Sequence, residues 1–156
     1  MVNFLEQLAA EWYEFKGYFV RRNVRVGRRA AGGHEGELDV VAFHPGERHL
    51  IHVEPSMDAN SWEKREERFS KKFEIGRKHI PTLFTGFELP PVIEQIALIG
   101  FGSAPGREQL GGGRLVMIGT FMRQIRDDLA HRNIAANAVP EQFYLLRTLQ
   151  FAAHHW

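Results

Sequence analysis

Two carboxylates lie inside apolar, strand-forming runs: Asp39 in Gly36-Glu37-Leu38-Asp39-Val40-Val41-Ala42, and Glu54 in His49-Leu50-Ile51-His52-Val53-Glu54-Pro55-Ser56. A carboxylate in such a run is costly unless a cation or hydrogen-bond donors meet it. Pro45-Gly46 reads as the centre of a tight turn joining the runs. His44 then faces Glu47, Asp39 pairs with His52, and Glu37 pairs with Glu54. Alternation along each strand sends Glu37, Asp39, His52, Glu54 and Ser56 to one face and Leu38, Val40, Ala42, Ile51 and Val53 to the other. Carboxylate oxygens from two neighbouring strands suit a hard divalent cation, Mg²⁺ or Mn²⁺. The metal candidates are therefore Asp39, Glu54 and Glu37, with His52 as a hydrogen-bonding support for a neighbouring carboxylate. The register is decisive, because a loop one residue longer would separate Asp39 and Glu54 onto opposite faces. The plainer alternative is a strand pair with solvated acids on its outer face.

The elements that must hold this hairpin follow from periodicity. Residues 3–16 carry Leu5, Leu8, Trp12 and Phe15 at helical spacing, with Gly17 as a stop. Tyr18 to Val26 reads as a strand, and Gly27 to Gly36 as a mobile loop. After Pro55, Asp58 or Ser61 caps a helix reaching about Lys78. Its buried stripe is Trp62, Phe69, Phe73, Gly76 and Ile80, flanked by Arg65, Arg68, Lys72 and His79, while Lys71 points away. Ile96–Gly100 and Leu115–Gly119 read as strands around a Gly-rich stretch, and helices follow from Phe121 to His131 and from Pro140 to about Ala153. The last is apolar around so much of its circumference that it is deeply packed or part of a homodimer interface.

At 156 residues and 44% apolar composition the chain can bury one core, and we read it as a single domain with a core motif region over 4–119 and a helical part over 120–156. The absence of cysteine excludes a disulfide scaffold and a thiolate metal site, and favours the cytoplasm. No signal-peptide pattern or membrane-spanning run is expected. The net charge of +1 is uninformative, but Arg21, Arg22, Arg25, Arg28 and Arg29 crowd nine positions free of acids. That patch is either a phosphate-facing surface or a solvated strand edge. The Gly106–Arg114 loop offers Arg107 and Arg114 to phosphates but lacks GK[ST] and is no P-loop. The His154-His155 pair reads as tail, since adjacent helical residues diverge by about 100°.

The order helix, strand, acidic strand, acidic strand, long helix, strand, with Asp39 and Val53-Glu54 so placed, resembles the PD-(D/E)xK (restriction-endonuclease-like) nuclease superfamily. Within it, Gly17-Tyr18 through Asn23-Val24-Arg25 and Gly36 to Ala42 are most similar to YraN-type (UPF0102) proteins and Holliday-junction resolvases. The resemblance covers about residues 4–80. It implies an α/β fold with an αβββαβ core, a mixed central sheet flanked by helices, and extra C-terminal helices. It also implies an Mg²⁺-dependent phosphodiesterase acting on DNA more readily than RNA, with Asp39 and Glu54 as metal ligands and a glutamate added from the first helix, at Glu6 or Glu11. The chain departs from the motif at Ser56, which fills the lysine slot. A neutral hydroxyl cannot supply the lysine's positive charge at the transition state. Either the catalytic lysine has moved to the following helix, with Lys72 ahead of Lys71, or the site is inactive and kept for binding nucleic acid or a protein partner. Arg65, Arg68 and Lys71, with the five arginines of residues 21–29, are the expected nucleic-acid contacts.

Overall fold

The computed structural model describes residues 3–156. Helix α1 (Phe4–Phe15) precedes strands β1 (Phe19–Arg28), β2 (His34–His44) and β3 (His49–Ser56). Helix α2 (Trp62–His79), a short 3-10 turn and strands β4 (Ile93–Ile99), β5 (Gln109–Leu110) and β6 (Gly113–Met117) come next, then α3 (Ile118–Ala130) and α4 (Tyr144–His155). The six strands form one mixed sheet in the order β1-β2-β3-β4-β6-β5. β1, β2 and β3 are antiparallel, β4 runs parallel to β3 and β6 parallel to β4. The expected α/β class and the αβββαβ order of elements are both present.

Both sheet faces are covered. Val40, Ala42, Ile51, Val53 and Leu98 pack with Leu5, Leu8, Trp12, Phe121, Ile125 and Leu146 from α1, α3 and α4. On the other face, Val41, Phe43 and Leu50 pack with Ile75 of α2, and Ala97 and Ile99 with Phe69 and Phe73. Of the stripe expected of α2, Phe69, Phe73 and Gly76 are buried, Trp62 is half-buried and Ile80 lies just past the helix end, while Ile75 and the expected flank residue Arg65 are buried as well. Ser61 caps the N-terminus by accepting from the Lys64 N–H. The polar face expected of the hairpin is therefore confined to one end of it. Elsewhere it is core, because α2 needs an apolar floor.

Three expectations change in detail. The β2–β3 connection has four residues rather than two: Arg48 takes φ 49, its N–H reaches the Pro45 carbonyl, and His44 pairs with His49. Val41, not Asp39, is thus opposite His52. A two-residue change preserves parity, so Asp39, His52 and Glu54 still converge. Leu38 does not follow the pattern, as it joins Val41 and Phe43 in the α2-side core. The β2–β3 pairing stops at Val40–Val53, and Asn23, at φ 50, drops out of the β1–β2 register opposite Asp39. Finally, half of residues 27–36 belongs to the strands of the β1–β2 hairpin, leaving only 29–33 between β1 and β2.

Candidate metal and phosphodiester site

Where β2 leaves β3, a cleft of about 310 Å³ opens, lined by Asn3 and Glu6 at the start of α1, Glu37 and Asp39 of β2, Pro55 to Asp58 at the end of β3, and Arg68 and Lys72 of α2. Asp39 and Glu54 are buried, at 8% and 2% exposure. Glu54 accepts from the Asp39 backbone N–H at 3.2 Å and from His52 Nε2 at 2.8 Å. Lys72 reaches down from α2: its Nζ donates to Glu54 Oε2 at 3.0 Å, to Asp39 Oδ1 at 3.5 Å and to the Glu37 carbonyl at 2.9 Å. Its place on the wheel, about 40° from Gly76 and about 60° from Phe69, permits this. Lys71 is exposed and points away, as its wheel position requires.

The electrostatics follow from this crowding. Burial, then contact with the Glu54 carboxylate, pushes Asp39 up to about 8. Burial also opposes charge on Glu54, but the hydrogen bond from His52, with Asp39 and the Lys72 charge, holds it down at about 2. The two form one coupled pair that keeps a proton, which Asp39 carries because it lacks a donor as good as His52. Burial disfavours the Lys72 ammonium, yet Glu54 and Asp39 outweigh it and keep its pKa above that of a free lysine.

Glu6 and Glu11 have different places. Glu6 lines the cleft, is 6% exposed, and its Oε2 is a buried oxygen without a hydrogen-bond partner among the described residues. Burial, reinforced by Glu54, raises its pKa. Glu11 is not in the cleft: its Oε1 accepts from the Leu145 N–H at 3.0 Å and the Leu146 N–H at 3.4 Å, capping α4 from a distance. Of the expected ligands, Glu37 lines the cleft, but its carboxylate faces Arg25 Nε at 3.7 Å instead of meeting Asp39 and Glu54.

Ser56 is buried in the cleft, and its hydroxyl donates to Asp58. Asp58 is held in turn by Arg65 Nε at 3.2 Å and Arg68 Nη1 at 2.7 Å, and the serine, the Asn60 N–H and Arg65 together keep its carboxyl below the usual range against the pull of burial. Arg68 Nη1 also lies 3.4 Å from Ser56 Oγ, which puts a guanidinium beside the vacant lysine slot. Arg65 is 3% exposed and braces Asp58 and the Phe101 carbonyl, so it presents no free face to a phosphate. The arginines of β1 are exposed but divided. Arg21 reaches the Leu83 carbonyl beyond α2, Arg22 reaches Gln7 of α1, Arg28 ends the strand and Arg29 follows it in the connection to β2. Arg107 stacks on Trp62 at 4.7 Å near the start of α2, whereas Arg114 pairs with Glu94 at 2.7 Å. His154 Nε2 donates to the Arg132 carbonyl at 2.8 Å.

Sequence reasoning missed Asp58 as a cleft residue, together with Gln95 and Arg77. Gln95 contacts His52 Nδ1 at 3.1 Å, and Arg77 Nη1 donates to Gln95 Oε1 at 2.9 Å. The available signal was a glutamine inside the apolar run Ile93-Glu94-Gln95-Ile96-Ala97-Leu98-Ile99, since a buried amide needs named partners.

Among the described residues no three His, Asp or Glu side chains form a ready coordination sphere. In the cleft, the Lys72 ammonium bridges the two carboxylates that would begin one. Asp39, Glu54 and Glu6 nevertheless offer the oxygen donors that a hard cation takes, and Glu6 Oε2, in the cleft lining, is a buried oxygen without a partner among the described residues. No helix among the described residues is long and apolar enough to cross a membrane. No family model, curated protein or solved structure matches this chain.

Proposed function

We propose that the chain is a divalent-metal-dependent phosphodiesterase that acts on nucleic acid, DNA ahead of RNA, with Lys72 supplying the charge that Ser56 cannot. The observation that carries this reading is the reach of Lys72 from α2 to both Glu54 and Asp39, which puts an ammonium at the acidic strand pair by another route than the missing lysine. Asp39 and Glu54, joined by Glu6, would hold Mg²⁺ or Mn²⁺. The metal, when bound, would polarise the scissile phosphate and lower the pKa of a bound water. His52 keeps Glu54 ionised and aimed. Lys72 stabilises charge developing on the phosphate, and Arg68, its side chain 45% exposed at the rim, anchors a phosphate oxygen.

A second reading, a catalytically inactive domain that binds nucleic acid, is favoured by one observation. The Ser56 hydroxyl is committed to Asp58, so its slot offers neither charge nor a free proton acceptor. Incubation with Mg²⁺ or Mn²⁺ and linear, supercoiled, single-stranded and branched DNA, beside RNA, separates the two. Metal-dependent cleavage lost in Asp39→Ala and Lys72→Ala supports the phosphodiesterase. Metal-dependent nucleic-acid binding without cleavage supports the inactive domain.

A further inference from the structure

His52 is fully buried, edge-on to Phe73, and occupies room that α2 leaves only because residue 76 is glycine. A Cβ at Gly76 would fall 2.4 Å from His52 Nδ1. A neutral imidazole has one donor and one acceptor nitrogen, so the partner at one nitrogen dictates the role of the other. At Nδ1 that partner is Gln95, which lies opposite His52 in the parallel β3–β4 register.

The orientation of the Gln95 amide is fixed by two independent neighbours. Arg77 can only donate, so the oxygen that it meets at 2.9 Å is Gln95 Oε1. The Phe73 carbonyl can only accept, and it takes a bond from Gln95 Nε2 at 2.9 Å. The amide nitrogen therefore also faces His52 Nδ1, which must accept, and the ring proton resides on Nε2, aimed at Glu54 Oε1. Glu54 then receives two hydrogen bonds on Oε1, from His52 and from the Asp39 N–H, leaving Oε2 to Lys72.

We propose that Gln95, oriented by Arg77, is a positioning residue for the metal site: it locks His52 in the Nε2–H tautomer and so holds Glu54 as an aimed carboxylate. This rests on the cleft being a metal site. Long-range ¹H–¹⁵N correlation spectra of histidine-labelled, metal-free protein report which ring nitrogen of His52 is protonated, and calorimetric titration with Mn²⁺ reports the consequence. In the wild type His52 should carry its proton on Nε2. In Gln95→Glu the new carboxylate should draw a proton to Nδ1, and Mn²⁺ affinity should fall about 10- to 100-fold. Arg77→Met, at an exposed position of α2, removes one of the two bonds that orient the amide, and should move part of the ring proton to Nδ1 and weaken Mn²⁺ by a smaller factor. A merely structural role would lower the melting temperature in both variants without moving the ring proton. Mn²⁺ binding with tautomer and affinity unchanged in both variants overturns the role of Gln95 alone. A wild type with the expected tautomer that binds no Mn²⁺ overturns the metal site and this role with it.

Discussion

Replacing Lys72 by methionine keeps most of the side chain's packing and removes only its charge. The unit charges of Lys72 and Glu54, 3.0 Å apart, attract by about 5 kcal/mol at an effective dielectric of ~20, before the cost of desolvating the ammonium is subtracted; protonated Asp39, at 3.5 Å, adds only a dipolar contact. Stripping one partner from a fully buried pair costs about 3–5 kcal/mol. With the Lys72 side chain 26% exposed, the metal-free protein should lose roughly 2 kcal/mol, or about 4–8 °C in melting temperature for a domain of this size. Binding should move the other way, because ammonium and metal compete for the same two carboxylates. The ammonium would repel a divalent ion held by the same carboxylates, by about 1–2 kcal/mol even at the dielectric of water, so Lys72→Met should bind Mn²⁺ roughly tenfold more tightly. Cleavage should nonetheless slow by about 10²-fold or more, the usual cost of losing one electrostatic donor. Melts in EDTA, calorimetric Mn²⁺ titration and single-turnover cleavage together read all three effects. A variant that cuts at the wild-type rate, or that loses Mn²⁺ binding along with cleavage, would refute the assignment of Lys72.

The raised Asp39 fixes the pH dependence of the metal-free protein. Its folded pKa of about 8 lies above the ordinary 3.8, so its contribution is complete at low pH and is lost as pH rises through 8, while the contribution of Glu54 is lost only as pH falls through about 2. Melting temperature in EDTA should fall between pH 5 and 8 and should be held up by Mg²⁺; a rise over that range contradicts the proton on the pair. Glu11→Ala should cost about 1–2 kcal/mol by uncapping α4 and leave Mn²⁺ affinity alone, whereas Glu6→Gln should leave stability near wild type and weaken Mn²⁺, as urea unfolding and calorimetry would show. Gly76→Ala pushes a methyl against the His52 ring at a cost of about 1–3 kcal/mol, and it should weaken Mn²⁺ because the ring that aims Glu54 is displaced; unchanged affinity would separate His52 from the site.

The site was legible in the sequence wherever local periodicity governs it. The wheel of α2 picks Lys72 over Lys71 because a helix turns 100° per residue, and the packing of Phe69 and Phe73 fixes the rotation. The convergence of Asp39 and Glu54 survived a misjudged turn because the loop differed by two residues, an even number. Leu38 was misplaced because strand alternation assumes continuous pairing, and β2 stops pairing with β3 just where the cleft opens. Long-range contacts left no local trace. Glu11 looks like any surface glutamate of α1 until α4, more than a hundred residues later, brings its bare N–H groups to it. Gln95 meets His52 only because β4 adds parallel to β3, and Arg65 is withdrawn from solvent by the Phe101 carbonyl.

The most direct measurement is calorimetric titration of the metal-free protein with Mn²⁺ at pH 8, beside Asp39→Ala, Glu54→Ala and Glu11→Ala. We expect saturable binding of one or two ions with proton release, abolished in the first two variants and unaltered in the third. A flat titration of the wild type, or equal binding by Asp39→Ala and Glu54→Ala, would contradict a metal centre on the β2–β3 cleft.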